Sequence, residues 1–545
     1  MTREGAQGKG ISRRNFVKGL GAGMLLGLGD GITPRRASAK LIGSVPAWKY
    51  IWSTVTHLQA IDPHVFADLP AFTYKLNMYG ELYRYQDTPP KIIPWIARSH
   101  EVSPDATKWT FHLYRGQKFH DDTEITAEDV RFSLERLMEM GKDASSGFRP
   151  YMRKDAVKVI DPYTCQFNLQ RPVGFFMTLI PLLSIVNSKL LRKHDKSGDY
   201  GVAWLANNEA GSGAFRLKEW DPPVGFKAEQ WPEWKDGWRG KHFKEIEYRT
   251  IIEVASRVNA LRIGEIHGVE TYLPPDQIEK LKKNPEVKVI PIVGLRTFLV
   301  RMNCQRPPTS NVHFRRALSY AFPYKEYIEK AMLGNAVQSL GGPIPNNMWG
   351  WPKDLKVYDT DLKKAKEELA IAKKELSAED FNRPVTIKAV SGLTNTKIAA
   401  LYLQSAASEL GLEMKVQEGP WAVLVSATRD LKTTHDIWIH WMSAYYLDPD
   451  NWVGRPYSSS YHGSMFGSTY YSNEKADKLL EKARITVNKE ERKAIYEEAT
   501  RLIVADAPDI WVSNDKWNGT FTADVQGWRF CDIGVGQEIY PMWRE

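Results

Sequence analysis

Cysteine is scarce in this sequence, and its scarcity excludes several kinds of site. The 545 residues include three cysteines, Cys165, Cys304 and Cys531, which lie far apart along the chain. No C-x-x-C pair or haem-attachment motif occurs, so the spacing excludes the common zinc, haem and dithiol sites. Three thiols allow one disulfide, but we expect isolated buried thiols.

Long apolar runs and familiar catalytic motifs are missing as well. Beyond the N-terminal segment, no stretch approaches the roughly 18 uninterrupted apolar residues of a membrane-spanning helix. There is no phosphate loop, no nucleophile elbow and no glycine fingerprint between a strand and a helix. We therefore expect no enzyme, no cofactor and no bound metal.

A strong charge of one sign is also absent from most of the chain. The formal net charge is +9, but residues 1–39 alone carry seven basic and two acidic side chains. About half of the excess therefore lies in that short segment. The remaining weak basic excess is spread over a large surface, so it does not indicate a nucleic-acid partner.

The N-terminal segment matches an export signal. Residues 12–18 read Ser-Arg-Arg-Asn-Phe-Val-Lys, which resembles the twin-arginine pattern, and a glycine-rich, weakly apolar run follows at 19–32. The small residues at 37–39 then match a signal-peptidase site, so we expect cleavage after Ala39 and a mature start at Lys40. No cysteine lies near the cut, so the mature protein is expected free in the periplasm.

Hydrophobic periodicity indicates an α/β protein of more than one domain. The length exceeds what a single compact core holds. Strand and helix patterns alternate through residues 296–441, which is typical of α/β layering. Thr126 followed by Asp129 predicts a helix that begins with a capping box. Residues 489–505 form an amphipathic helix pattern that ends before Pro508.

A long ordered series of motifs resembles one protein family. The series begins with Asn-Met-Tyr-Gly-Glu-Leu-Tyr at 77–83 and continues through Trp-Thr-Phe-His-Leu at 109–113. Later matches are Gly-Ser-Gly-Ala-Phe at 211–215, Ala-Leu-Arg-Ile-Gly-Glu-Ile at 260–266 and Asp-Pro-Asp-Asn at 448–451. The chain is identified on these motifs as a member of the family 5 extracellular solute-binding proteins, the peptide- and nickel-type binders of ABC importers.

The resemblance implies two α/β domains joined by a hinge, with a small extra domain inserted in the first. The expected segments are a signal peptide at 1–39, first-domain parts at 40–85, 205–294 and 512–545, the inserted domain at 86–204 and the second domain at 295–511. We expect a monomer that encloses its ligand between the two main domains. The closed form is then expected to dock on an ABC permease of the inner membrane.

One short segment departs from the peptide-binding members of the family. These relatives carry an aspartate soon after the tryptophan that here is Trp441, and that aspartate pairs with the ammonium group of the peptide. Ser443, Ala444 and Tyr445 occupy the stretch here. Either the ligand is not a standard free-amine peptide, or another acid forms the ion pair, because a buried ammonium without a partner is costly.

The expected ligand is a peptide or peptide-like solute, and an oligosaccharide, opine or other small polar solute is the alternative. A periplasmic hydrolase or oxidoreductase is the alternative of another class. Ligand contacts are expected from the loop after the first mature strand, from an aromatic wall and from two loop positions. These candidate residues are His57, Leu58, Gln59, Trp421, Trp441, Ala444, Tyr445, Tyr446, Tyr461 and His462.

Overall fold

The computed structural model of the protein describes residues 45–65, 68–270, 272–534 and 536–545. The expected signal peptide and its cleavage site lie outside these residues. Within them, no helix is long and apolar enough to cross a membrane.

The strands follow the alternating and the continuous apolar runs of the sequence. In chain order they are β1 Lys49–Thr54, β2 Gly80–Glu81, β3 Tyr83–Gln86, β4 Lys91–Pro94, β5 Ala97–Val102, β6 Lys108–Leu113, β7 Val157–Asp161, β8 Thr164–Asn168, β9 Ser184–Ile185, β10 Phe215–Asp221, β11 Gly225–Gln230, β12 Glu245–Thr250, β13 Gly268–Val269, β14 Val287–Val293, β15 Thr297–Met302, β16 Ala336–Gln338, β17 Val385–Val390, β18 Met414–Gly419, β19 Ile437–Met442, β20 Asp509–Thr522, β21 Val525–Gln526 and β22 Trp543–Arg544.

The helices alternate with these strands. They are α1 Leu69–Met78, α2 Ala127–Met140, α3 Phe176–Leu179, α4 Ser188–Lys193, α5 Val202–Leu205, α6 Val254–Arg262, α7 Pro275–Leu281, α8 Val312–Ala321, α9 Tyr324–Glu326, α10 Leu362–Glu375, α11 Ala378–Phe381, α12 Thr394–Glu409, α13 Trp421–Ala427, α14 Gly454–Tyr457, α15 Glu474–Ile485 and α16 Lys489–Asp506. The α/β class that the periodicity predicted is confirmed.

One strand, β20, belongs to both halves of the largest sheet. Its residues 509–515 pair with β15 and β16, and its residues 516–522 pair with β13 and β14. We call residues 45–293 and 516–545 the first lobe and residues 297–515 the second lobe. The chain therefore passes between the lobes twice, at 294–296 and within β20, as a hinged two-domain fold requires.

Each lobe has its own sheet order and apolar core. In the first lobe the order is β10-β11-β12-β1-β13, and in the second lobe β15-β19-β17-β18, with β20 between them. A separate antiparallel sheet, β5-β6-β8-β7, shares the first-lobe core and lies within the predicted insertion at 86–204. The domain boundaries themselves stay predictions.

The helix that the capping box predicted begins where expected. The Asp129 carboxylate accepts the backbone N–H of Thr126 at 2.8 Å, and α2 ends at Gly141, whose φ of 60° is left-handed. The other carboxylate oxygen accepts the backbone N–H and the hydroxyl of Ser188, both at the start of α4. One aspartate thus caps its own helix and ties a second helix to it.

The cysteines are three separate thiols, as predicted. Cys165, Cys304 and Cys531 are all unpaired. Burial raises the pKa of the Cys165 and Cys531 thiols to about 12 and that of Cys304 to about 11. The thiolate, which is the reactive form, is therefore disfavoured at all three positions.

Two buried ion pairs fix the loop that follows β19. Asp448 accepts a hydrogen bond from Arg492 at 2.6 Å, and Asp450 accepts one from Arg484 at 2.8 Å. All four side chains are buried. The two arginines belong to α15 and α16, so these pairs attach residues 448–451 to the helical layer of the second lobe.

We predict that Arg484→Met lowers the free energy of unfolding by about 3–5 kcal/mol, because it leaves the Asp450 carboxylate buried without its cation. Urea unfolding followed by circular dichroism measures the change. The matched control is Lys478→Met in the same helix, whose exposed pair with Glu474 should contribute no more than about 1 kcal/mol. Equal losses in the two variants would contradict the structural role of the buried pair.

Candidate ligand-binding cleft

A cavity of about 270 Å³ lies between the two lobes. Its first-lobe wall consists of Gln59, Asp68, Asp143 and Ser146. Its second-lobe wall consists of Trp421, Ala422, Val425, Ser426, Thr428, Arg429, Tyr445, Gly463, Ser464, Met465 and Phe466. Concave sites between domains, lined by apolar groups and a few polar ones, are the usual places for small ligands.

The first-lobe wall carries two carboxylates. Asp68 is the N-cap of α1: its side chain accepts the backbone N–H of Ala71 at 3.1 Å and the amide of Gln59 at 3.3 Å. Burial raises the pKa of the Asp68 carboxyl above its ordinary value. Asp143 begins a short 3-10 helix that also carries Ser146. This wall can therefore accept hydrogen bonds from a cationic or strongly donating ligand group.

The second-lobe wall is aromatic. Trp421 begins α13, and its ring packs against the rings of Trp438 at 5.4 Å and His440 at 5.9 Å between centroids. Both of these rings belong to the fully buried strand β19, which holds the indole in place. Tyr445 and Phe466 form an edge-to-face pair at 5.4 Å. Such rings offer apolar faces to a ligand at little entropic cost.

Three of the residues predicted from the sequence line this cavity: Gln59, Trp421 and Tyr445. The two predicted neighbours of Gln59 do not line the cavity. Leu58 is buried in the protein, and His57 is exposed to solvent. One predicted residue of the first-lobe loop and two predicted residues of the second lobe thus share one cavity, and their contact with a ligand stays a prediction.

Three other predicted residues form contacts between the lobes. The ring of Trp441 packs against that of Tyr272 of the first lobe at 5.2 Å between centroids, and its indole N–H donates to Asp515 within the second lobe. The carbonyl of Ala444 accepts the backbone N–H of Gly534 at 2.7 Å. Tyr446 stacks on Phe175 at 5.5 Å with an interplanar angle of 9°. These three residues contact the first lobe directly and do not line the cavity.

The two predicted loop residues, Tyr461 and His462, are engaged within the second lobe. The ring of Tyr461 lies 5.3 Å from the guanidinium carbon of Arg484. The His462 ring is hydrogen-bonded to the carbonyl of Tyr471 at 2.7 Å and packs against Tyr470. The cavity is instead bordered by the residues that follow, Gly463–Phe466.

Sequence reasoning missed the acidic wall. An aspartate directly before Leu-Pro is a recognisable helix start, so Asp68 could have been identified as an N-cap. Nothing local to Asp68 or Asp143 shows that the two face the same cavity as Trp421, which lies far away in the sequence.

Histidines and acids that could suggest a metal site have other partners. His120 contacts Glu209 at 2.6 Å through Nδ1 and the carbonyl of Gly213 at 3.0 Å through Nε2. Among the residues that the structure describes, no group of three or more His, Cys, Asp or Glu side chains is placed to hold a metal ion.

Comparison with known proteins decides the family. The family model described as "Bacterial extracellular solute-binding proteins, family 5 Middle" matches residues 91–464. The chain belongs to the family 5 extracellular solute-binding proteins. Members of this family are binding proteins for transport and not enzymes, so the alternative of a hydrolase or oxidoreductase is removed.

Relatives of this family 5 protein extend the match over nearly the whole chain. The probable D,D-dipeptide-binding periplasmic protein DdpA of Escherichia coli K12 is 30% identical over 482 residues, which are 87% of this chain and 89% of DdpA. Among solved structures, DppA of Helicobacter pylori in complex with the peptide STSA is 25% identical, with a TM-score of 0.80. The superposition covers 91% of this chain and 98% of the DppA chain.

A further solved structure shows the fold alone. AgaA of A. tumefaciens R10, in complex with agropinic acid, is 24% identical, with a TM-score of 0.78 over 91% of this chain and 99% of AgaA. The two-domain α/β fold predicted from the resemblance is therefore confirmed.

Proposed function

We propose that this family 5 protein captures a short peptide or peptide-like solute in the cleft and delivers it unaltered to an ABC permease in the inner membrane. The observation that carries the proposal is the cavity lined by both lobes, with acids on one wall and aromatic rings on the other. Its volume of about 270 Å³ lies at the small end of the range of roughly 300–1,000 Å³ for ligand pockets. A dipeptide or tripeptide suits this size better than a long oligopeptide.

The acidic wall supports a ligand with a free amine. The stretch from Ser443 to Tyr445 lacks the aspartate that peptide-binding relatives use, and Ala444 is buried against the first lobe. Asp68 and Asp143 offer two carboxylates from the opposite wall. We propose that they receive the ammonium group, which is the second of the two alternatives that the sequence left open. The names of DdpA and of the DppA complex, which mention a dipeptide and a peptide, agree with this class.

The mechanism is closure around the ligand. A solute that contacts both walls binds the closed form better than the open form, and this difference in affinity shifts the population toward closure. The closed form would then dock on the permease. An oligosaccharide or opine that stacks on Trp421 and Tyr445 is the alternative solute for the same motion.

We predict that free dipeptides and tripeptides raise the melting temperature of the mature protein in a thermal-shift screen. A ligand present at 100 times its Kd adds about 2.7 kcal/mol of stability by mass action. N-acetylated versions of the same peptides should give little shift, because they carry no ammonium group. A shift with sugars or opines and none with any peptide would contradict the peptide class.

We predict that Asp68→Asn weakens the binding of a free-amine dipeptide by about tenfold or more, which corresponds to roughly 1.4 kcal/mol. Asparagine is also a good N-cap, so α1 keeps its cap while the charge is lost. Isothermal titration calorimetry measures the Kd. The matched control is Asp361→Asn, at the N-cap of α10 outside the cavity lining, which should leave the Kd unchanged. Equal affinities for Asp68→Asn and the unsubstituted protein would exclude Asp68 as the amine receptor.

We also propose export by the twin-arginine route. The support is the pattern around Arg13 and Arg14 followed by the small residues that end at Ala39. Mass spectrometry of the periplasmic protein should show an N-terminus at Lys40. Replacing Arg13 and Arg14 together by lysine should keep the precursor in the cytoplasm, and unchanged export of that variant would contradict the route.

A further inference from the structure

A second cavity, separate from the one between the lobes, is lined by cations that have no acidic partner. Its volume is about 370 Å³, and it lies in the first lobe between the loop that precedes β12 and the C-terminal segment. It shares no lining residue with the cavity between the lobes. Its charged lining residues are the cations Arg239, Lys241 and Arg529 and the acids Asp236 and Glu538.

Both acids of this cavity already have a cation. Asp236 contacts Lys235 at 3.1 Å, and Glu538 accepts a hydrogen bond from Arg84 at 3.1 Å. The three lining cations, by contrast, have no carboxylate within 4.0 Å and donate no side-chain hydrogen bond among the described residues. The cations still outnumber the acids when these partners are counted and Glu81, which shares Arg84, is included.

The loop that carries Arg239 and Lys241 is fixed to the C-terminal segment. The His242 ring lies 2.8 Å from the carbonyl of Tyr540 through Nδ1 and 2.8 Å from that of Arg239 through Nε2. The same ring stacks on Tyr540 at 4.9 Å, and the Tyr540 hydroxyl donates to the carbonyl of Gly237 at 2.8 Å. The two cations thus extend from a backbone that is already positioned, which lowers the entropic cost of binding a ligand there.

Aromatic rings complete the wall of the cavity. Trp95, Tyr540 and Trp543 line it, and Nζ of Lys241 lies 4.6 Å from the ring centroid of Trp543. Tryptophan and tyrosine suit a boundary between a wet and an apolar region, and lysine and arginine are attracted to anionic lipid headgroups. The combination of residue types is therefore typical of a surface that meets such headgroups.

Three cations around one cavity repel one another, and a bound anion removes that repulsion. A phosphate group offers several oxygens and more than a single negative charge, so donors from separate side chains can bind it at once. The arginine fork and the compact lysine ammonium are both common phosphate donors. A phosphate group therefore suits this cavity better than a single carboxylate, which one arginine satisfies.

We propose that Arg239, Lys241 and Arg529 form a binding site for a phosphate group, carried by an anionic lipid headgroup or free in solution. The site belongs to one lobe, so its occupation does not depend on the solute in the cleft. In a protein that hands its solute to a membrane permease, binding a headgroup here would raise the concentration of the protein at the membrane surface.

The experiment has two arms, both on the mature protein. Calorimetry and thermal shift follow the addition of sodium phosphate, with sodium chloride at the same ionic strength as the reference. Cosedimentation compares vesicles of phosphatidylglycerol and phosphatidylcholine with vesicles of phosphatidylcholine alone. Binding in the vesicle arm only assigns the site to a lipid headgroup, and saturable binding of phosphate assigns it to the phosphate group itself. No binding in either arm would overturn the proposal.

The triple variant Arg239→Gln, Lys241→Gln, Arg529→Gln assigns the binding to the cavity. All three side chains are exposed, so we expect the variant to fold, and circular dichroism checks this. Its affinity for the probe that binds should fall by roughly tenfold or more. Undiminished binding would overturn the proposal. If the triple variant does not fold, Lys241→Gln decides in the same way.

The matched control removes the same charge elsewhere, by Lys366→Gln, Lys374→Gln and Lys432→Gln. These lysines are exposed in the second lobe and lie outside both cavities. The control should keep its affinity to within about twofold, and an equal loss in the two triple variants would show an effect of net charge only and overturn the site. The cavity variant should bind peptides like the unsubstituted protein, so failure of this inference leaves the proposed function standing.

Discussion

The strand β20 imposes the constraint on which the two-lobed arrangement depends. Its first half completes the sheet of the second lobe and its second half completes the sheet of the first lobe. Backbone groups buried in a sheet must stay hydrogen-bonded, so each half of β20 is fixed to its own lobe. The chain passes from one lobe to the other at two places, the short stretch within β20 and the connection at 294–296.

Buried charge is distributed unevenly over this frame. In the loop after β19, Asp448 and Asp450 are each paired with an arginine of the helical layer, which makes that loop part of the rigid scaffold. At the cleft, Asp68 has only neutral donors. Paired charges thus stabilise the scaffold, whereas the Asp68 carboxylate at the cavity forms no ion pair among the described residues.

Local signals predicted much of the fold. The Thr126–Asp129 box and the amphipathic pattern of α16 each depend on neighbours within a few residues, and both helices form where expected. Of the ten residues predicted for the ligand site, three line the cavity. The sequence around Trp441 predicts a buried ring, but it cannot show that the ring meets Tyr272 and Asp515 instead of the cavity.

The sequence by itself determined the family, the types of most elements and the pattern of an export signal, because these depend on residue order and short-range periodicity. Only the tertiary structure decided which polar groups share the cleft. Asp68 and Trp421 lie far apart in the sequence, and they line the same cavity because β20 joins the sheets of the two lobes. Whether a buried charge has a partner is a property of packing, and no pattern along the chain records it.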